Sequence, residues 1–227
     1  MLLLKLIGGV ISPVVIFGAL LFLPAGTLDW WRAWVFLGVV LACGAGTMAV
    51  VFRNNEELLD ERYKGPIQKG QPLADKIVAN LFVFSFFGVI LLIPLDVFRF
   101  HVMGTPGPVV SFAGLVLFVA GWVLISVTFS ENTFGAPVVR HQEERDQTVI
   151  DTGLYAVVRH PMYTSVFLLV PGMALWLGSY AAALCIIILA ALIAVRIVFE
   201  EQFLKRELPG YEAYTRKVRY RMIPFVW

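Results

Sequence analysis

PMYTSVFLLVPGMALWLGSYAAALCIIILAALIAV, residues 161–195, contains no charged side chain over 35 consecutive positions. A straight helix of that length would measure about 50 Å, whereas the hydrocarbon core of a bilayer is about 30 Å thick. The segment must therefore turn back once. Gly178-Ser179 is the predicted turn, which gives a hairpin of two helices, Met162–Leu177 and Tyr180–Phe199.

The composition of the whole chain indicates the same environment. The 227 residues are 59% apolar and 15% charged, with a mean hydropathy of +0.80. Soluble domains are about 45–50% apolar and about 25% charged, so a soluble globule, a disordered chain and a disulfide scaffold are excluded. A net charge of only +2 gives no single-sign field for nucleic acid, and no such partner is expected.

Four further apolar runs are long enough to cross a bilayer. These runs are Leu6–Leu23, Ala33–Phe52, Ile77–Leu95 and Val109–Phe129. Together with the hairpin they predict an all-α, polytopic integral membrane protein with about six crossings, or five crossings and a re-entrant hairpin. Residues 1–227 are expected to form a single membrane domain.

The distribution of basic residues predicts the orientation. With both termini and the segments 53–76 and 130–161 on one side, that side holds 16 of the 18 Lys and Arg residues, and only Arg32 and Arg99 lie opposite. Loops rich in Lys and Arg stay in the cytoplasm. Both termini are therefore expected to be cytoplasmic.

Several familiar motifs fail in this context. Gly44-Ala45-Gly46-Thr47-Met48-Ala49 matches a dinucleotide fingerprint on paper, but it lies within an apolar run without the strand that such a site requires. Three histidines, His101, His141 and His160, are too few and too scattered for a di-iron centre. No metal is therefore expected.

Polar residues concentrate between 147 and 163, where the hairpin begins. Pro161 suits a first helical turn, and His160 before it is biased to extended geometry, so nearby backbone amides are expected to be free for a ligand. Tyr155 and Tyr163 offer flat faces on which a base could stack. The alternative is a helix cap with an aromatic belt at the membrane surface.

A second polar cluster, residues 196–204, lies where the hairpin returns to the same surface. Arg196 and Glu200 are four positions apart and hence neighbours on one helix face. The alternative is an arginine that extends to the interface with an ordinary ion pair. A short hairpin would bring this cluster opposite the first one, which favours a site.

Five separated blocks together resemble the isoprenylcysteine carboxyl methyltransferase and phospholipid methyltransferase family. They are Gly-x-Tyr (153–155), Arg-His-Pro-x-Tyr (159–163), Arg-x-x-x-Glu-Glu (196–201), Tyr-x-x-Tyr (211–214) and Ile-Pro-Phe (223–225). The resemblance covers about Ser130–Trp227 and implies a methyltransferase core at 109–227, with helices of unassigned role at 1–108.

The resemblance implies an integral membrane enzyme whose active site faces the cytoplasm. It would take S-adenosylmethionine from the cytosol and methylate a lipidic acceptor that arrives from the bilayer. The cofactor residues would be Gln147, Thr148, Val149, Ile150, Tyr155, His160, Pro161, Met162 and Tyr163. Arg196 and Glu200 would be catalytic, and both, with Glu201, would bind the substrate.

The resemblance also bears on Arg140 and on the stretch 208–210. Arg140 lies near a position at which other members contact the cofactor through a different residue. The stretch Leu208-Pro209-Gly210 is expected to order the C-terminal tail without touching the chemistry.

The nature of the acceptor stays open at this stage. A carboxylate is already ionised near pH 7 and could be held by Arg196, whereas a phospholipid amine would need Glu200 or Glu201 as a base. In either case a buried Arg196–Glu200 ion pair is expected. The carboxylate of an isoprenylcysteine is the preferred acceptor.

Two functions from other classes are rivals. Membrane sterol reductases, which use NADPH, have a similar His-Pro-x-Tyr block and a tail like Tyr220-Arg221-Met222-Ile223-Pro224-Phe225. A non-enzymatic membrane scaffold or transporter subunit would instead carry charged residues within its crossings. The clear crossings here contain none.

Overall fold

The computed structural model describes residues 2–65, 67–68, 70–140 and 142–227; His141 and Pro66 lie outside these ranges. The described residues form helices and connecting turns without a strand, so the all-α prediction is confirmed. The α-helices are α1 (Leu2–Ala25), α2 (Trp31–Thr47), α3 (Glu56–Tyr63), α4 (Leu73–Leu95), α5 (Pro108–Glu131), α6 (Pro161–Leu177), α7 (Tyr180–Leu184), α8 (Ile186–Glu207) and α9 (Tyr211–Lys217). Turns of π-helix, Met48–Phe52 and Asp96–Phe100, extend α2 and α4.

In the part of the chain that the structure describes, five helical segments are long and apolar enough to cross a bilayer. They are Leu2–Ala25, Trp31–Phe52, Leu73–Phe100, Pro108–Glu131 and Tyr180–Glu207, and the apolar helix Pro161–Leu177 is shorter. These segments support an integral membrane protein, as the composition predicts. The number of crossings and the cytoplasmic location of the termini stay predictions.

The hairpin turns where the sequence predicts it. α6 ends at Leu177, Gly178 has a left-handed φ of +107°, and α7 begins at Tyr180. The Ser179 hydroxyl accepts the Ala182 N–H (3.0 Å) and donates to the buried Asp96 carboxylate (2.6 Å). The turn is thereby fixed to the end of α4.

Glycines allow α5 and α6 to pack with their backbones in contact. A Cβ at Gly114 would lie 2.9 Å from the Gly172 carbonyl oxygen, and one at Gly121 would lie 2.9 Å from the Leu169 nitrogen. Small residues at helix interfaces allow this close approach in membranes. The contact places the C-terminal end of α5 beside the first turn of α6, so the connecting residues 132–140 and 142–160 lie close to both.

Candidate functional site

A cavity of about 820 Å³, including its open mouth, lies beside the first turn of α6 and the C-terminal half of α8. Eight of the nine predicted cofactor residues line it, together with Glu200: Gln147, Thr148, Val149, Ile150, Tyr155, His160, Met162 and Tyr163. The two polar clusters of the sequence therefore meet at one cavity.

Pro161, Arg196 and Glu201 are not part of the cavity lining. Pro161 is the first residue of α6, where its missing N–H costs no helical hydrogen bond. Two of the amides expected to be free beside it are occupied, because the Arg159 N–H donates to Tyr220 O (3.0 Å) and the His160 N–H to Arg221 O (2.7 Å). The C-terminal tail occupies these donors.

Arg196 is buried and forms an ion pair with a different carboxylate from the one predicted. Its Nε lies 3.1 Å from Asp75 Oδ1, and its Nη2 donates to Pro137 O (2.8 Å). The other Asp75 oxygen accepts the Val139 N–H (3.0 Å). The predicted Arg196–Glu200 ion pair is therefore wrong: α4 packs against α8 and supplies the buried counter-ion.

Glu200 and Glu201 have different surroundings. Glu200 lines the cavity and accepts a hydrogen bond from the Tyr163 hydroxyl (2.7 Å). Glu201 is buried behind the wall and accepts from Arg159 Nε (2.7 Å) and Arg221 Nε (3.1 Å), while His160 Nε2 lies 3.2 Å away. Glu201 thus ties the start of α6 and the tail to α8, and its substrate role stays a prediction.

Three tyrosines form an aromatic wall. The Tyr155 hydroxyl accepts from Asn132 Nδ2 (3.0 Å), the Tyr214 hydroxyl donates to Tyr155 O (2.8 Å), and the Tyr211 and Tyr214 ring centroids are 5.6 Å apart. Burial raises the pKa of Tyr155, Tyr211 and Tyr214 above its ordinary value. These phenols are therefore neutral near pH 7 and serve as donors and flat faces, not as bases.

The cavity includes residues that the sequence interpretation did not assign to it. Leu208 contributes to the lining, and the expectation that its stretch orders the tail without touching the chemistry stays a prediction. Tyr211 and Tyr214 belong to a quoted motif, and their spacing was a signal that could have placed them in the site. The remaining additions are Asn132, Phe134, Gly135, Ala136, Val138, Val139, Arg140, Gln142, Arg159 and Leu204.

Arg140 offers an unused donor at the cavity. Its Nη atoms bind Glu144 (2.6 Å) and Glu61 (3.1 Å), but its buried Nε has no hydrogen-bond partner among the described residues. Within the same ranges, no group of three His, Cys, Asp or Glu side chains could hold a metal ion. An anion at the cavity would satisfy the Arg140 Nε.

A left-handed turn at Gly153 positions the aromatic wall. Gly153 has φ +55°, and a Cβ there would collide with the Glu131 carboxylate. That carboxylate accepts the Leu154 N–H (2.8 Å) at the end of α5. The turn thus places Tyr155 two residues later against Asn132.

Comparison with known proteins agrees with the motifs. No curated protein matches the chain. The family model for phospholipid methyltransferase matches residues 109–209, a range that begins in α5 and contains all the predicted cofactor and substrate residues. The resemblance is confirmed over this range: residues 109–209 have the pattern of the phospholipid methyltransferase family, which includes isoprenylcysteine carboxyl methyltransferase-like proteins and indicates a membrane methyltransferase.

Proposed function

We propose that this protein transfers a methyl group from S-adenosylmethionine to a lipidic carboxylate of the isoprenylcysteine type at the cytoplasmic membrane surface. One observation carries the proposal: the segment 147–150 and the first turn of α6, far apart along the chain from Glu200, line the same cavity. The family match supplies the reaction class.

The donor set of the cavity fits S-adenosylmethionine. Gln147 and Thr148 provide polar groups, Tyr155 and Tyr163 provide flat faces, and the unpartnered Arg140 Nε suits a carboxylate. When bound, S-adenosylmethionine supplies an electrophilic methyl group on a positively charged sulfur. The predicted cofactor residues, from Gln147 to Tyr163, would hold it.

Besides binding S-adenosylmethionine, the protein must align the acceptor with the methyl group and exclude water. Arg196 is fixed on two sides, by Asp75 and by Pro137 O, so its guanidinium has a defined direction. A carboxylate acceptor could take a charge-assisted hydrogen bond from its remaining N–H groups. Because that acceptor is ionised near pH 7, the reaction needs no base.

Glu200 would then have an electrostatic role. Its carboxylate is held by the Tyr163 hydroxyl and lies at the cavity, where it can stabilise a nearby positive charge. In a phospholipid amine N-methyltransferase, Glu200 would instead have to remove a proton from the acceptor. The two acceptors therefore make different demands on the same residue.

A product test distinguishes the acceptors. The purified protein in lipid nanodiscs is incubated with a membrane lipid extract and methyl-labelled S-adenosylmethionine, and the labelled lipid is treated with mild base. We expect labelled methanol, because a methyl ester is hydrolysed. Label that stays on the lipid would indicate N-methylation and contradict the carboxylate acceptor, and binding of NADPH instead of S-adenosylmethionine would contradict methyl transfer.

A further inference from the structure

A second cavity of about 870 Å³, including its open mouth, lies among the N-terminal helices and α5. It is separate from the lining of the first cavity, and most of its wall lies outside the residues 109–209 that match the family. Its lining residues are Gly9, Ser12, Pro13, Gly44, Thr47, Met48, Phe52, Leu59, Arg62, Tyr63, Trp122, Ile125, Ser126, Phe129 and Leu169.

The middle of this second cavity offers little to a polar ligand. The Thr47 hydroxyl bonds to Ser126 Oγ (2.8 Å) and Cys43 O (2.9 Å), and it accepts the Trp122 indole N–H (3.0 Å). These polar side chains thus satisfy one another within the wall. What they leave exposed to the cavity is mostly hydrocarbon and aromatic surface, which suits an apolar chain.

Gly44 shows that the space is open inside the protein. It is buried, yet a Cβ built there would meet no atom within 4 Å. Gly38 lies six residues earlier in α2 and is exposed. A Cβ built there would also meet no atom within 4 Å, but Gly38 does not line the cavity. A side chain added at Gly44 would therefore begin in open space at the cavity wall.

Arg62 of α3 places a positive charge at this cavity. Its guanidinium carbon lies 4.6 Å from the Phe129 ring centroid, and its Nη1 reaches Gly135 O at 3.4 Å. Over the described ranges, no carboxylate forms an ion pair with it. Burial and the nearby positive charge of Arg196 lower the pKa of Arg62 to about 10, still high enough for it to be charged near pH 7.

The Arg62 end of the cavity adjoins the proposed methyl-transfer site. Phe129 and Leu59 line the second cavity and share one apolar cluster with Met162, which lines the first. Gly135, which accepts from Arg62, also lines the first cavity. A head group held by Arg62 would thus be close to the residues that line the first cavity.

We propose that this second cavity holds the single apolar chain of the acceptor and that Arg62 binds its anionic head group. The inference rests on the proposed function and gives the N-terminal helices their role. An anionic head would supply the counter-ion that Arg62 lacks, since a buried cation is costly without one.

Chain binding can be tested independently of methyl transfer. The probe is a sixteen-carbon fatty acid with a photoreactive diazirine, mixed with the full-length protein in detergent and mapped by mass spectrometry. We expect crosslinks on α1, α2 and α5 at residues of the second cavity. The alcohol and the amine of the same chain length serve as head-group comparisons.

Substitutions at Arg62 and at Gly44 distinguish binding of the head group from binding of the apolar chain. Arg62→Gln should weaken binding of the acid about tenfold or more, the scale of one lost charge-assisted bond, and leave binding of the alcohol unchanged; Arg62→Lys should restore part of the loss. Gly44→Leu should weaken binding of the acid and of the alcohol alike. Gly38→Leu is the matched control in the same helix and should bind both as the parent does.

The outcomes for the two proposals differ. Crosslinks confined to other surfaces, or parental binding of the acid in both Arg62→Gln and Gly44→Leu, would overturn this inference even if S-adenosylmethionine binds normally. Failure of the parent protein to bind S-adenosylmethionine would overturn the proposed function instead. Elution as the parental species in size-exclusion chromatography ensures that a loss of chain binding is not a loss of fold.

Discussion

Replacement of Asp75 should remove the buried counter-ion that holds Arg196. Asp75 is 1% exposed, and its two oxygens contact Arg196 Nε (3.1 Å) and the Val139 N–H (3.0 Å). Removing one partner of a buried ion pair costs about 3–5 kcal/mol, because the other charge is left uncompensated. Asp75→Ala should therefore destabilise the protein by about that amount.

A double-mutant cycle isolates the pair. Asp75→Asn keeps an oxygen for the Val139 N–H while removing the charge, and Arg196→Met removes the cation. We expect the double variant to be more stable than the sum of the single effects by about 0.5–3 kcal/mol, the usual coupling of contacting residues. Unfolding in detergent, followed by tryptophan fluorescence, measures each free energy.

The same cycle has a functional readout. Asp75→Asn should lower kcat while binding S-adenosylmethionine as the parent does, since Asp75 holds Arg196 and does not line the cavity. Additive stability effects within about 0.3 kcal/mol, or an unchanged kcat in Asp75→Asn, would refute the argument that Asp75 positions Arg196.

Three further outcomes follow from the local geometry. Gly153→Ala should destabilise by about 1–3 kcal/mol, because φ is +55° and the new Cβ would strike the carboxylate at the end of α5; an unchanged melting temperature would contradict this. Burial raises the pKa of Glu61, but hydrogen bonds from Lys64 and Arg140 outweigh it and hold that pKa below 4.5, its ordinary value. The stabilisation by Glu61 is therefore complete above its ordinary pKa and is lost as the pH falls through the lowered pKa. Between pH 6 and about 3, the melting temperature should therefore fall less with pH for Glu61→Gln than for the parent. A cysteine at the exposed Ala213 should be labelled from the cytoplasmic side only, and labelling from outside would reverse the orientation.

The hairpin was predictable because it depends on length and charge alone. A charge-free stretch of 35 residues cannot cross a bilayer of about 30 Å as one straight helix, and Gly178 is suited to the left-handed turn that the structure shows. The convergence of residues 147–163 with Glu200 followed from that hairpin. The cavity lining bears out this juxtaposition.

The partner of Arg196 was not predictable in this way. Glu200 is the carboxylate four residues away, and local spacing favours it. Asp75 lies 121 positions earlier in the chain and reaches Arg196 only because α4 packs against α8. No pattern within either helix specifies that packing.

The irregular segment 132–140 was missed for a different reason. It has no helical periodicity, so its contribution to the cavity through Phe134 and Val139 depends on tertiary hydrogen bonds. One of these joins the Gln142 side chain to Phe134 O (2.7 Å). Arg62 had no assigned role in the sequence analysis, although its guanidinium lies over the Phe129 ring of α5.

The central claim is that one cavity binds S-adenosylmethionine while Arg196 acts only on transfer. Titration calorimetry with S-adenosylmethionine and its demethylated product, combined with turnover, tests this on His160→Ala and Arg196→Ala. The account predicts that His160→Ala loses affinity about tenfold or more, and that Arg196→Ala binds as the parent does but has no turnover. Parental binding and methyl transfer in both variants would contradict it.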